Sequence, residues 1–515
     1  MVEHVDVLVV GAGLSGIGAA GHLRRTCPER TLAILEARDA IGGTWDLFRY
    51  PGVRSDSDMH TLGYGMRPWK DPKAIADGAS ILSYIRETAR EYDLLDAIRF
   101  RHRVVSADWD EARARWTVQV ERGAESAAET VTLTCSFLYL CAGYYRYDEG
   151  HSPRFEDAER FEGELVHPQH WPEDLEYAGK RVVVIGSGAT AVTLVPAMAE
   201  RAAHVTMLQR SPAYVMSLPS RDGIANALRR VLPERAALAA IRWKNATLAL
   251  GFYRFSRKRP ERVKAMLRKG VAKQLPEGYD IGTHFTPRYD PWDQRVCYVP
   301  DGDLFRAISS GRASVVTDHV ESFTPEGIRL QSGAELPADV VVTATGLNLL
   351  PLGGIRLSVA GRPVDPAETV AYKGMMLSGV PNFAWTLGYT NSSWTLKADL
   401  VAQYVSRLLK HMADRGHAVV RPLAPPAGDP VLPIMDLQSG YVLRGADRMP
   451  KRGTRAPWTL EQNYRQDVRL LRRGPVDDGV EFAAASTGAV AANADSNSGS
   501  GSGSGSENAE AEARS

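Results

Sequence analysis

The chain has 515 residues, 44% of them hydrophobic and 24% charged, which fits two to four globular domains and excludes a largely disordered or fibrous protein. Basic and acidic side chains nearly cancel, 62 against 61, so binding to nucleic acid or anionic lipid has to come from a local patch. Four cysteines without paired spacing argue against a disulfide framework or a zinc site, so no metal is expected. The N-terminus shows no export pattern, and no apolar run is long enough to span a bilayer, so a cytoplasmic protein is predicted.

The first predicted element is the strand Val5-Asp6-Val7-Leu8-Val9-Val10, a near-continuous apolar run of the kind found in parallel sheets covered on both faces. A glycine turn, Gly11-x-Gly13-x-x-Gly16, follows at once. Then come a helix from Ile17 to Arg25 and a strand from Thr31 to Leu35, which together make a βαβ unit. A second unit of the same design begins at Arg181. Its strand is Val182–Ile185, its turn Gly186-x-Gly188-x-x-Ala191, its helix Val192 to Ala202 and its next strand Val205–Leu208. Two such units predict an α/β fold with two Rossmann-like dinucleotide-binding domains.

Residues 221–275 read as a helical insert. From Arg229 to Lys269 there are thirteen basic residues against two acidic ones, Glu234 and Glu261. This face is either solvated or a weak membrane-surface contact; peripheral membrane association is the second reading of the location. A strand from Asp339 to Thr343 leads into Ala344-Thr345-Gly346. Leu400 to Leu409 reads as helix, and 484–515 as a disordered Gly/Ser/Ala-rich tail.

In the first glycine turn, Gly11 permits the tight turn, Gly13 lets the backbone approach a pyrophosphate, and Gly16 allows helix to pack on strand. Glu36 lies twenty residues beyond Gly16, at the end of the second strand, where a carboxylate takes ribose hydroxyls. The pair Gly42-Gly43, with Thr44 and Trp45 after it, resembles flavoproteins that bind FAD, as does the re-entry signature ending at Gly346. In the second turn, with Gly186, Gly188 and Thr190, the position corresponding to Glu36 holds Arg210, followed by Ser211. A guanidinium there binds a 2′-phosphate that a carboxylate would repel, so NADPH rather than NADH is predicted.

Between the units lies Phe161-Glu162-Gly163-Glu164-Leu165-Val166-His167-Pro168-Gln169-His170-Trp171-Pro172. This segment matches FxGxxxHxxxWP, and over residues 3–480 the chain resembles the type I Baeyer–Villiger monooxygenases. The blocks Thr44–Gly52 and Pro291–Arg295 are most similar to the ethionamide-activating group within them. The resemblance implies FAD and NADPH as cofactors and O₂ as co-substrate. It implies oxygen insertion through a C4a-peroxyflavin into a small-molecule ketone, sulfide or thioamide. It gives His167 a role in interdomain coupling, makes Arg295 the catalytic arginine and makes Asp56 the acid that holds it. Trp292-Asp293-Gln294-Arg295 lacks the lysine that many relatives carry before the arginine, which bears on NADPH affinity. Asp56 also reads as a turn cap beside Ser55 and Ser57. Dipole logic and the family fold together direct the helix after Gly388–Thr395 at the flavin pyrimidine.

The expected division is 1–150 and 336–483 for the FAD domain, 151–220 (with the linker) and 276–335 for the NADP domain, 221–275 for the insert and 484–515 for the tail. Two alternatives have the same layout: a flavin monooxygenase that oxygenates only nitrogen or sulfur, and a non-catalytic flavin-binding protein. A disulfide reductase needs a redox-active cysteine pair, and Cys27 stands alone.

Overall fold

Two sheets, each built on one of the glycine turns, organise the chain; the computed structural model describes residues 2–124 and 127–484. The tail expected from 484 lies outside the described residues, apart from Ala484. In the larger sheet, β1 (Glu3–Val10) pairs in parallel with β2 (Leu32–Leu35) on one side and β5 (Glu129–Leu140) on the other. Val7 and Val9 of β1 enter the core beneath α1 (Leu14–Thr26), while Leu8 and Val10 enter the core on the opposite face. A strand covered on both faces has no polar side to show, which is why its sequence is almost uniformly apolar. Antiparallel β3 (His102–Asp110) and β4 (Arg115–Arg122) extend this sheet from β5.

The smaller sheet has five strands, all parallel. Its order is β10 (Ala313–Thr317), β9 (His204–Gln209), β8 (Arg181–Ile185), β11 (Val340–Thr343) and β7 (Glu164–Val166). Helix α2 (Ala189–Met198) follows β8 and is shorter than the sequence suggests, ending four residues before Ala202. The insert is three helices, α3 (Gly223–Val231), α4 (Glu234–Lys258) and α5 (Pro260–Ala272).

One boundary differs from expectation. The strand after Asp339 belongs to the smaller sheet, where Val340–Thr343 pairs with Val182–Ile185 and also with Glu164–Val166. The return to the larger sheet therefore comes after residue 343 rather than at 336. Val340–Val342 is fully buried, and a wholly apolar run carries no mark of which parallel sheet will bury it. The chain leaves the larger sheet through β6 (Tyr145–Gly150) and returns through β12 (Leu347–Leu349). These two crossings pair antiparallel, Gly150 opposite Leu347 and Tyr145 opposite Leu349. Beyond them, β13 (Phe383–Trp385) joins β5, and α6 (Trp394–Arg415) packs along α1.

Candidate active site

Both glycine turns are cradles that side chains could not form. Gly11 adopts φ +102°, and a Cβ on Gly16 would lie 1.8 Å from the Gly11 carbonyl oxygen. Helix α1 therefore begins hard against the turn, with its first amides uncapped by any side chain and open to an anion. Gly13 faces Gly43 across a narrow gap, and a Cβ on Gly13 would come to 3.5 Å of the Gly43 Cα. Glu36 is buried, and its two carboxylate oxygens accept from the backbone N–H groups of Ala12 (2.8 Å) and Arg38 (2.9 Å). Burial raises its pKa, and those two amides and the Arg38 charge only partly offset this. The carboxylate thus ties the glycine turn to the end of β2. The Thr44 hydroxyl pairs with the Tyr147 hydroxyl at 2.9 Å, and Trp45 packs half-buried against the same core. Thr395, in the first turn of α6, has a buried hydroxyl with no partner among the described residues. A narrow glycine cleft, a seated carboxylate and an unsatisfied hydroxyl together fit a bound dinucleotide.

The second cradle has the same build. A Cβ on Gly186 would lie 2.4 Å from the Ala344 carbonyl oxygen, whereas the space around Gly188 is open. Ala191, in the third glycine's place, buries its methyl completely in the smaller core. Ser187 donates to the Ser211 carbonyl at 3.0 Å, which fixes the loop after β9. Arg210 is exposed on that loop and makes no hydrogen bond or ion pair among the described residues. Thr190 touches the hydroxyl of Tyr50, whose pKa is pushed up to about 12 by burial.

Where the two cradles meet, Arg295 pairs with Asp56, Nη2 to Oδ2 at 3.0 Å, with the side chains 30% and 48% exposed. The Asp56 charge raises the Arg295 pKa despite partial burial, so the guanidinium keeps its charge at every working pH. Tyr144, Tyr145 and Tyr441 surround it. The Tyr144 and Tyr145 hydroxyls lie 3.2 Å apart, and the Tyr145 and Tyr441 rings are 6.3 Å apart. Burial raises the pKa of all three, and the nearby Arg295 charge offsets little of it. The Tyr144 ring packs 5.1 Å from Trp394, whose indole N–H donates to Ser15 at 2.7 Å. An aromatic path therefore runs from the ion pair to the first cradle. Sequence reasoning did not single out these aromatics. The Tyr144-Tyr145 doublet just beyond the carboxyl end of β5 was the available signal, because ligands bind outside such strand ends.

His167 sits at the crossings rather than at the ion pair. A Cβ on Gly150 would lie 2.0 Å from its Cε1. Its Nδ1 accepts from the Gln169 backbone N–H at 3.2 Å, and its Nε2 is buried. Burial lowers the imidazole pKa, which favours the neutral ring. The Gln169 side chain donates to the carbonyls of Arg146 (2.9 Å) and Tyr147 (2.7 Å), and Tyr147 in turn meets Thr44. Hydrogen bonds thus connect the segment around His167 to the first cradle. Gly346 holds φ +109° where the chain re-enters β12.

Three further contacts join the domains. Arg54 pairs with Asp303, Tyr50 meets Thr190, and a Cβ on Gly52 would lie 2.7 Å from Ala197 in α2. The loop 50–56 is thus clamped to the smaller domain at one end and carries Asp56 at the other.

A family model described as flavin-binding monooxygenase-like matches residues 4–236. The chain is 57% identical to the FAD-containing monooxygenase EthA of Mycobacterium tuberculosis, over 94% of this chain and 98% of the relative. It is 52% identical to the protein of that name from Mycolicibacterium smegmatis, over 93% and 96%. Among solved structures, an oxidized steroid monooxygenase bound to NADP superposes with a TM-score of 0.74 at 23% identity. That match covers 93% of this chain and 100% of the other, and it shows the shared two-sheet fold. Similarity of this extent, over nearly the whole of both chains, makes the chain a member of the flavin-binding monooxygenase family.

Proposed function

We propose that this monooxygenase binds FAD in the first cradle and NADPH in the second, and performs Baeyer–Villiger oxidation of a ketone together with oxidation of sulfides or thioamides. The observation that carries the reading is the Arg295–Asp56 pair at the seam between the two cradles. Reduced flavin supplies the activation of O₂. The protein's part is electrostatic. Arg295 would steady negative charge developing on the reacting oxygen and on the oxyanion formed after attack on a carbonyl. Asp56 fixes the guanidinium and tempers its charge. Gly11, Gly13, Gly16, Gly43, Thr44 and Trp45 seat the flavin nucleotide, with Glu36 on its ribose. Gly186, Gly188 and Thr190 seat the nicotinamide nucleotide, with Arg210 and Ser211 at its 2′-phosphate. The amino end of α6, where the buried Thr395 hydroxyl has no partner among the described residues, would favour the negative charge that a reduced flavin carries.

The test is a mixed panel of ketones, sulfides and thioamides with products read by mass spectrometry and NADPH consumption followed in parallel. Arg295→Ala is expected to load FAD and accept hydride from NADPH, yet to form no ester. Ester at the wild-type rate would overturn the assignment. Sulfoxide without ester from the wild-type enzyme would favour a nitrogen- or sulfur-oxygenating enzyme instead. Flavin colour without NADPH oxidation would leave a non-catalytic flavoprotein.

A further inference from the structure

We propose that the outer face of the helical insert is a docking surface for an anionic lipid bilayer. Of the thirteen basic side chains between Arg229 and Lys269, five are paired within the protein. Arg229 donates to the backbone carbonyls of Trp69 and Lys70, and Arg242 donates to Asp399. Lys244 pairs with Asp222, Arg257 with Asp293, and Lys264 with Asp290 and Glu261. The other eight are exposed and, among the described residues, their side chains make no hydrogen bond or ion pair. They lie on all three helices and their joints: Arg230 on α3; Arg235, Arg254 and Lys258 on α4; Arg259 between α4 and α5; Arg262, Arg268 and Lys269 on α5.

Apolar side chains stand among these charges. Ile224, Leu228 and Val231 recur at i, i+4 and i+7, the spacing of a buried helical stripe. Yet Ile224 and Val231 are 60% and 75% exposed, and Ala225 is the one buried residue of α3. The stripe faces water instead of the core. On α4, Trp243 is 62% exposed, and Leu248 and Phe255 are exposed with it. On α5, exposed Met266 lies between Arg262 and Lys269, again at i, i+4 and i+7. Beside α4 opens a groove of about 950 Å³, with Leu238 and Met66 among its lining and Arg235, Arg465, Arg469 and Arg473 around them. Arg465 stacks on Trp243 at 5.2 Å and holds the indole outward.

Unpaired cations interleaved with outward apolar side chains match a surface that offers anionic headgroups above hydrocarbon. A nucleic acid would satisfy the charges and leave the apolar residues wet. No helix of the described residues is long and apolar enough to cross a membrane, so attachment would be peripheral.

The inference is independent of the oxygenation reading, and its test reads binding rather than turnover. The FAD-loaded protein is centrifuged with phosphatidylcholine vesicles, with or without phosphatidylglycerol, at low and high salt. Expected are co-sedimentation with the anionic vesicles, little with phosphatidylcholine alone, and weakening by salt. Arg262→Gln, Arg268→Gln and Lys269→Gln together should weaken binding roughly a hundredfold, at about fivefold per charge removed. Ile224→Ser with Val231→Ser should abolish the part that survives high salt. Both variants are expected to keep flavin absorbance and NADPH oxidation, since no substituted residue touches either cradle. Absence of wild-type binding, equal binding to both vesicle types, or an unaffected charge variant would overturn the proposal. So would a wild-type dimer that the α3 variant converts to monomer without any change in vesicle binding, because a second copy would then cover the stripe.

Discussion

Arg210 and Arg295, the two cations proposed to meet an anion, have different surroundings. Arg295 is held by Asp56 and ringed by three tyrosines, so its position is fixed before any ligand arrives. Arg210 is exposed and unpaired among the described residues, free to fork onto a phosphate. Arg210→Ala should therefore raise KM for NADPH roughly tenfold or more, the worth of a charge-assisted hydrogen bond, and leave KM for NADH nearly unchanged. Steady-state kinetics with both coenzymes check this, and equal effects would remove the 2′-phosphate role. Gly16→Ala is expected to abolish flavin loading, because its Cβ would sit 1.8 Å from a backbone oxygen that cannot move without breaking the turn. The absorbance of the purified variant gives the answer. At this scale the sequence was informative where spacing dictates backbone geometry, as at Gly16. It was silent on Tyr144, Tyr145 and Tyr441, whose convergence on Arg295 depends on a fold that brings residues nearly three hundred positions apart together.

Helix α6 shows what an element contributes. Asp399, buried within it, receives His22 of α1 at 3.2 Å and Arg242 of α4 at 2.9 Å, and accepts the Gly65 backbone N–H as well. One carboxylate thus joins α1, the insert and the loop near residue 65. Burial alone would raise its pKa, but the His22 hydrogen bond and the Arg242 charge together outweigh it, and the net shift is downward. A carboxylate whose folded pKa is depressed stabilises fully above its unfolded value, about 3.9. That contribution is lost as pH falls through the lower folded value. Asp399→Asn should cost about 3 kcal/mol at neutral pH by denaturant titration, because Arg242 is left without its counter-charge. The gap from wild type should narrow below about pH 4; a gap independent of pH would show that packing, not charge, ties the helices. The helix itself was legible from the Leu400–Leu409 periodicity. Its anchoring was not, since neither His22 nor Arg242 carries a local mark of its partner. The basic run of the insert was legible only as a total, because composition cannot separate Arg242, turned inward, from Arg262, left in water.

Across the whole molecule, the two domains are joined by the paired crossings and by the loop 50–56. His167 rests on Gly150 with no room for a side chain between them. Gly150→Ala should displace the ring and disturb the hydrogen bonds that pass through Gln169 and Tyr147 to Thr44. The expected outcome is that NADPH oxidation persists while product per NADPH falls severalfold and hydrogen peroxide rises. Parallel assays of peroxide and product test it, and undiminished coupling would reduce His167 to a structural residue. The fingerprint around His167 was readable as a string. Its seat on β6 was not, because only the antiparallel pairing of the crossings brings Gly150 beneath the ring.

The smaller sheet is finished by Val340–Thr343, while the larger one still awaits Phe383–Trp385 and the cover of α6 on α1. During synthesis the inner unit can therefore close while the outer one remains open beside the carboxyl end of β5, where Phe383–Trp385 will pair with Leu138–Leu140. A message truncated before the codons for α6 would yield a completed nicotinamide-side unit attached to an uncovered apolar flank, a product suited to proteolysis rather than to residual activity.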